Sequence, residues 1–155
     1  MLTSLLSSDR KKGTFKTPLF HTFKLFSNNC RGNSVDTYVE CDTFNTGKYK
    51  GIPYLDVTTV YNKETNTVFI NIVNRHKDEA ITAEIINNSG KFGGKAEASI
   101  VNVDSLRTPF TFDKQQEYIP VTREIDTEGN KFSYSFPAHS LTQLRVGVQD
   151  DKTGE

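Results

Sequence analysis

Residues 67–74 read Thr67-Val68-Phe69-Ile70-Asn71-Ile72-Val73-Asn74, with Val68, Phe69, Ile70, Ile72 and Val73 placing apolar side chains on both faces of an extended segment. That is the pattern of a central strand covered on either side. Just upstream, Tyr54 to Tyr61 alternates, with Leu55, Val57 and Tyr61 on one side and Tyr54 and Val60 on the other. The segment between them, Asn62-Lys63-Glu64-Thr65-Asn66, is a polar loop of hairpin length. Working outward from this hairpin, strands are expected at Val35–Val39, Ala80–Asn87, Ala98–Val103, Tyr118–Ile125, Lys131–Phe136 and Ser140–Val148. Asn88-Ser89-Gly90 with Gly93-Gly94, and Asp126-Thr127-Glu128-Gly129-Asn130, read as turns between them. The pattern predicts a mainly β chain, an antiparallel β-sandwich, with no internal repeat.

Toward the N-terminus the period changes. Thr17-Pro18 offers an N-cap followed by a proline at the first helical position, where its missing N–H costs nothing. Leu19, Phe20, Phe23, Leu25 and Phe26 then predict a helix of about three turns with an apolar stripe. Asn28-Asn29 stops it and Gly32-Asn33 makes the exit turn. Met1 to Leu6 reads as the end of an earlier helix, and Asp150 to Glu155 as a frayed polar tail.

The chain has 155 residues, the size of one domain, and can bury a core without disulfide or metal. Its 19 basic and 19 acidic residues cancel, which argues against a nucleic-acid binder or a polybasic membrane-surface protein. Mean hydropathy is −0.54, and no apolar run approaches the ~20 residues needed to cross a bilayer. Met1 to Leu6 is too short for a signal-peptide core and lacks a basic segment before it. Cys30 and Cys41 form no CxxC pair and have no His at ligand spacing, so they read as two buried thiols, with one short-loop disulfide as the alternative and a metal site as a remote one.

No sequence motif of nucleophilic, metal or nucleotide chemistry occurs. His21 reads as a polar residue of the helix face, His76 as a loop-positioning residue at a strand end, and His139 as a partner of local backbone. Glycoside hydrolysis requires two carboxylates about 5–9.5 Å apart. Glu40 with Asp42, and Glu124 with Asp126, share strand faces but flank turns, where solvated carboxylates are ordinary. Asp56, inside an apolar strand, reads as a hydrogen-bond acceptor at an interface. A sugar-binding sandwich would stack rings on its ligand; Trp is absent, and Tyr49, Tyr54, Tyr118 and Phe110 read as core aromatics. Asn87-Asn88-Ser89 is a formal glycosylation sequon, meaningful only in a secreted eukaryotic protein.

Four segments carry a resemblance. Thr17-Pro18-Leu19-Phe20-His21-Thr22-Phe23-Lys24-Leu25-Phe26 resembles the TPTYHVFEMF helix of glycoside hydrolase family 51 α-L-arabinofuranosidases. Ile52 to Tyr61 is similar to that family's VPYLDVSAVY strand, Val73-Asn74-Arg75-His76 to its VNRH, and Pro137 to Arg145 to its PAHSxTVLRL. They occur in the family's order and span most of the chain.

The resemblance implies a C-terminal β-sandwich of jelly-roll type at residues 34–149. Residues 1–33 would be the helical remnant of a (β/α)8 barrel, and 150–155 a tail. It implies a parent that releases terminal α-L-arabinofuranosyl groups from arabinan and arabinoxylan oligosaccharides with retention, in L-arabinose metabolism. In such a parent one glutamate is the acid/base and a second the nucleophile. Both lie on barrel strands upstream of the matching segment. No catalytic residue is therefore expected in this chain, no substrate-binding residue is assigned, and neither metal nor cofactor is implied. The expected partner is the missing barrel, with arabinose-containing oligosaccharides met through it. A free carbohydrate-binding module, or a homo-oligomer joined through a Leu/Phe patch, are the competing readings. Compartment is unreadable, because a targeting signal would sit at the parent's N-terminus; the absence of one in this chain leans toward the cytoplasm.

Overall fold

A computed structural model describes residues 5–150, with only the backbone of Asp150. A short hairpin, β1 (Leu6–Asp9) with β2 (Gly13–Lys16), leads into helix α1 (Pro18–Asn29). Strands β3 (Asn33–Val35), β4 (Thr43–Phe44), β5 (Ile52–Pro53), β6 (Leu55–Asn62), β7 (Thr67–Asn74), β8 (Ile81–Ile86) and β9 (Gly90–Val101) follow. After a 3-10 turn at Phe112–Tyr118 come β10 (Val121–Asp126), β11 (Lys131–Phe136) and β12 (Ser140–Asp150).

One antiparallel sheet runs in the order β10-β9-β12-β7-β6-β3. The pair β8 with β11 packs on it as the opposing layer, and β4 with β5 forms a separate two-stranded sheet. Between the layers lies a core built on Leu55, Ile70, Ile72, Phe92, Ala98, Phe132, Phe136, Leu144 and Val146. Period-two alternation explains it: Ile70 and Ile72 of β7 face inward beside Leu144 of β12, while Phe69 and Asn71 face the other side. The mainly β antiparallel sandwich expected from the sequence is the fold observed. Thr142 of β12 lies on the inward side, fully buried, and its hydroxyl has no hydrogen-bond partner. Thr142→Val, which removes an unsatisfied polar group at constant shape, is expected to raise stability by about 1 kcal/mol in chemical denaturation.

The outer face of the large sheet is polar where the helix meets it. Cross-strand register lines up Thr122, Ser99, Gln143, Asn71 and Thr58 across five strands. Gln143 and Asn71 are 1% and 2% exposed, and α1 closes over them. Asn29 Nδ2 donates to Gln143 Oε1 at 2.6 Å, and Gln143 Nε2 donates to Asn71 Oδ1 at 2.7 Å. Asn71 Nδ2 lies 3.2 Å from Cys30 Sγ. Burying amides here is tolerable because each finds a partner. No residue of α1 is fully buried, and its Phe23 is 57% exposed.

The helix begins and ends where its sequence predicts, with Thr17 at the N-cap and Pro18 at the first position. The Thr17 hydroxyl, however, donates to Leu5 O at 3.1 Å instead of capping the helix. Gly32, at φ 151°, is required at the exit, because a Cβ there would stand 2.2 Å from Tyr61 O.

Several expectations are corrected. Leu5 and Leu6 do not end a helix; Leu6 opens β1. Asp9 Oδ1 accepts the backbone N–H groups of Lys11 and Lys12 at 2.8 and 2.9 Å, and Gly13 takes φ 87°, so turn chemistry favours a hairpin. Met1 to Ser4 and the tail beyond Asp150 lie outside the described residues. Only Val35 of the expected strand Val35–Val39 is in β3. Gly93-Gly94 is no loop but the middle of β9, where a Cβ at Gly93 would meet Gly147 O of β12 at 3.4 Å. Tyr118 belongs to the 3-10 turn, fully buried, and β10 starts at Val121.

Candidate functional site

Three of the four segments that carry the resemblance, those holding Tyr54, Asn74–His76 and His139, meet at one corner of the sandwich. Tyr54, just ahead of β6, stacks between Phe44, at a centroid distance of 4.9 Å, and His76, at 4.7 Å. Arg75, beyond the end of β7, pairs with Asp56 and donates to Pro53 O at 3.2 Å. Asn74, 1% exposed, donates from Nδ2 to Glu79 O, Phe136 O and Pro137 O at 3.0–3.1 Å. Its Oδ1 accepts the His76 N–H at 2.8 Å. His76 Nδ1 accepts the N–H groups of Asp78 and Glu79, at 3.3 and 2.8 Å, shaping the turn into β8. The backbone N–H of His139 donates to His76 O at 2.8 Å. The His139 ring bridges Lys77 O at 2.7 Å and Val103 O at 2.9 Å from a residue at φ 42°. The polar groups of Asn74, Arg75, His76 and His139 are engaged by backbone or by neighbouring side chains. The corner is a three-way weld between the β7–β8 turn, the segment after β9 and the entry to β12.

The structure thus brings His76 and His139 together and leaves His21 apart on α1. Glu40 and Asp42 lie exposed in the segment between β3 and β4, not on a strand face. Glu124 and Asp126 do share the face of edge strand β10, and Glu124 pairs with Lys95 of β9. Asp56 does accept hydrogen bonds, from Arg75, but on the surface. Of the aromatic candidates, Tyr118 is buried with its hydroxyl on Pro109 O, and burial and then Glu117 raise its pKa. Phe110 stands edge-on to Tyr118 at 5.3 Å, and Tyr49 is exposed in a loop. Both cysteines are free thiols, but half-buried and not buried as expected: Cys30 lies against Asn71, and Cys41 packs against the core. Among the described residues no three His, Cys, Asp or Glu side chains gather as metal ligands. None of the described helices is long and apolar enough to cross a membrane.

A second constellation escaped the sequence. A cleft of about 480 Å³ lies between β2, α1 and the segment from the 3-10 turn to Pro120. Lys16, His21, Lys24, Asn28, Asn29, Gln115 and Gln116 supply its polar lining. The His21 pKa is lowered, first by burial and then by the charges of Lys16 and Lys24. These residues come from segments about a hundred positions apart, so no local motif could announce them.

Fold and corner together define a β-sandwich module whose recurring sequence words secure packing and loop geometry. A family model described as "Alpha-L-arabinofuranosidase C-terminal domain" matches residues 2–140, and the chain belongs to that family. Among curated proteins it is 30% identical over 142 residues to a probable α-L-arabinofuranosidase C of Aspergillus clavatus, covering 87% of this chain and 26% of that protein. The corresponding protein of Aspergillus terreus is 28% identical over the same length. The chain therefore spans about a quarter of the length of these relatives. Among solved structures, the fold matches the arabinose complex of the Thermotoga maritima α-L-arabinofuranosidase with a TM-score of 0.79 at 22% identity, covering 91% of this chain and 31% of that one. It matches the GH51 arabinofuranosidase of Xanthomonas axonopodis pv. citri with a TM-score of 0.81 at 20% identity, covering 96% and 29%.

Proposed function

We propose that this chain serves as the C-terminal β-lobe of a family 51 α-L-arabinofuranosidase and has no hydrolytic activity of its own. In this reading residues 1–33 lead out of the catalytic barrel, residues 34–149 form the lobe, and 150–155 are its tail. The whole enzyme releases terminal arabinofuranosyl groups from arabinan and arabinoxylan oligosaccharides with retention, through two glutamates held in the barrel. The observation that carries the reading is the family match over residues 2–140, joined to a length about a quarter of its relatives'.

The surface agrees with a neighbour. Leu5, Leu6 and Phe23 are 39%, 47% and 57% exposed on the hairpin and helix through which the barrel would connect. Covering such area stabilises by about 25 cal/mol per Å².

The test is hydrolysis of an aryl α-L-arabinofuranoside by the 155-residue chain, with calorimetric titration of arabino-oligosaccharides beside it. No turnover and no binding heat are expected. Saturable hydrolysis abolished by replacing one of this chain's own carboxylates would overturn the proposal.

A further inference from the structure

The cleft beside α1 places two ammonium groups from different elements around one imidazole. Lys16 comes from β2, Lys24 and His21 from the helix. All three line the same cleft, and burial first, then the charges of Lys16 and Lys24, lower the His21 pKa. No carboxylate lines the cleft. Of the acidic residues on the neighbouring 3-10 turn, Glu117 pairs with Lys114 at 3.5 Å, and Asp113 is not part of the lining. Neither Lys16 nor Lys24 has a carboxylate partner among the described residues; Lys16 instead rests over the Phe20 ring at 5.0 Å. Gathering like charges without a counter-ion costs energy that a bound anion returns.

The remaining polar lining has a different character. Asn28, Gln115 and Gln116 are amides, each able to donate and accept, which suits hydroxyl groups, while Asn29 is held by its hydrogen bond to Gln143. Leu25, Ile119 and Pro120 add apolar wall. The volume of about 480 Å³ falls in the range of small-molecule sites, larger than a bare inorganic ion needs. At 100° per residue, His21, Lys24, Leu25 and Asn28 form one stripe of α1, and Phe23 falls about 150° from its centre, on the opposite side. A neighbour covering Phe23 leaves this stripe alone.

We propose that this cleft binds a small hydroxylated oxyanion, a sugar acid or sugar phosphate, with Lys16 and Lys24 on its charged group and the amides on its hydroxyls. The inference does not depend on the catalytic reading above.

It is tested by calorimetric titration of the 155-residue chain with glucuronate and with glucose 6-phosphate at fixed ionic strength, glucose serving as the neutral control. Saturable binding of at least one anion is expected, with glucose silent, and the responding anion identifies carboxylate or phosphate as the charged group. Lys24→Gln and Lys16→Gln, each at an exposed side chain, should weaken binding about tenfold, as loss of one charge-assisted hydrogen bond does. Lys63→Gln, on the distant β6–β7 turn, should leave it unchanged. Three results would overturn the site: glucose binding as well as the anions, neither anion saturating, or all three variants losing affinity alike.

Discussion

Replacing Asn74 by aspartate is expected to cost the domain on the order of 3–5 kcal/mol, the range seen when a buried polar centre is left with an uncompensated charge. The substitution keeps the shape and changes one atom's chemistry. The Asn74 amide nitrogen now lies within hydrogen-bond distance of three carbonyl oxygens, those of Glu79, Phe136 and Pro137, which share its two N–H groups in a site 1% exposed to solvent. A carboxylate oxygen in its place would face the same carbonyls with no proton to give. The loss should shrink as pH falls, because protonating the new carboxyl restores one donor, so the variant gains stability toward acid. Urea denaturation at neutral and acid pH measures both effects. A loss below 1 kcal/mol at neutral pH would mean that the weld is ornamental.

Phe136→Ala is expected to cost about 3–5 kcal/mol. Phe136 is 1% exposed and belongs to β11, whose layer shares no ladder hydrogen bonds with the six-stranded sheet. That layer is held chiefly by side-chain burial, with Phe132 of β11 against Phe92 of β9 at a centroid distance of 5.0 Å and Phe136 in the same core. Removing the ring opens a cavity where the layers meet, and the backbone on both sides is tied into ladders that resist collapse. The same denaturation experiment reads it, and an unchanged midpoint would show that the layers are not joined there. Because Phe136 O also accepts from Asn74, the two substitutions should be non-additive in a double-mutant cycle.

Much of this architecture is legible locally. The 67–74 segment is a central strand because alternate residues, Ile70 and Ile72 against Phe69 and Asn71, are all buried. The helix from Pro18 follows from proline at its first turn and the apolar stripe behind it. Where the reading failed, a competing local chemistry or a distant contact prevailed. Leu6 entered a strand because Asp9 and Gly13 form a turn. Gly93 lies within β9 because β12 pairs with that strand on either side of it, at Phe92 and Ala96. Of the sites, the loop-shaping role of His76 was legible in outline; His139 does bind backbone, but that of Lys77 and Val103, 62 and 36 residues away, and not the local backbone expected. That they bind within one corner was not legible.

Periodicity, turn residues and the four motif words determined the mainly β antiparallel class, most of its strands and the family, because these depend on neighbours within about ten positions along the chain. Tertiary structure alone decided which polar groups meet: Asn29 with Gln143, 114 residues apart, His139 with Lys77, 62 apart, and Lys16 and Lys24 across a cleft closed by Gln115 and Gln116. A side chain's partner is set by cross-strand register and by the docking of a helix on a sheet, and neither is encoded in the spacing of any single segment.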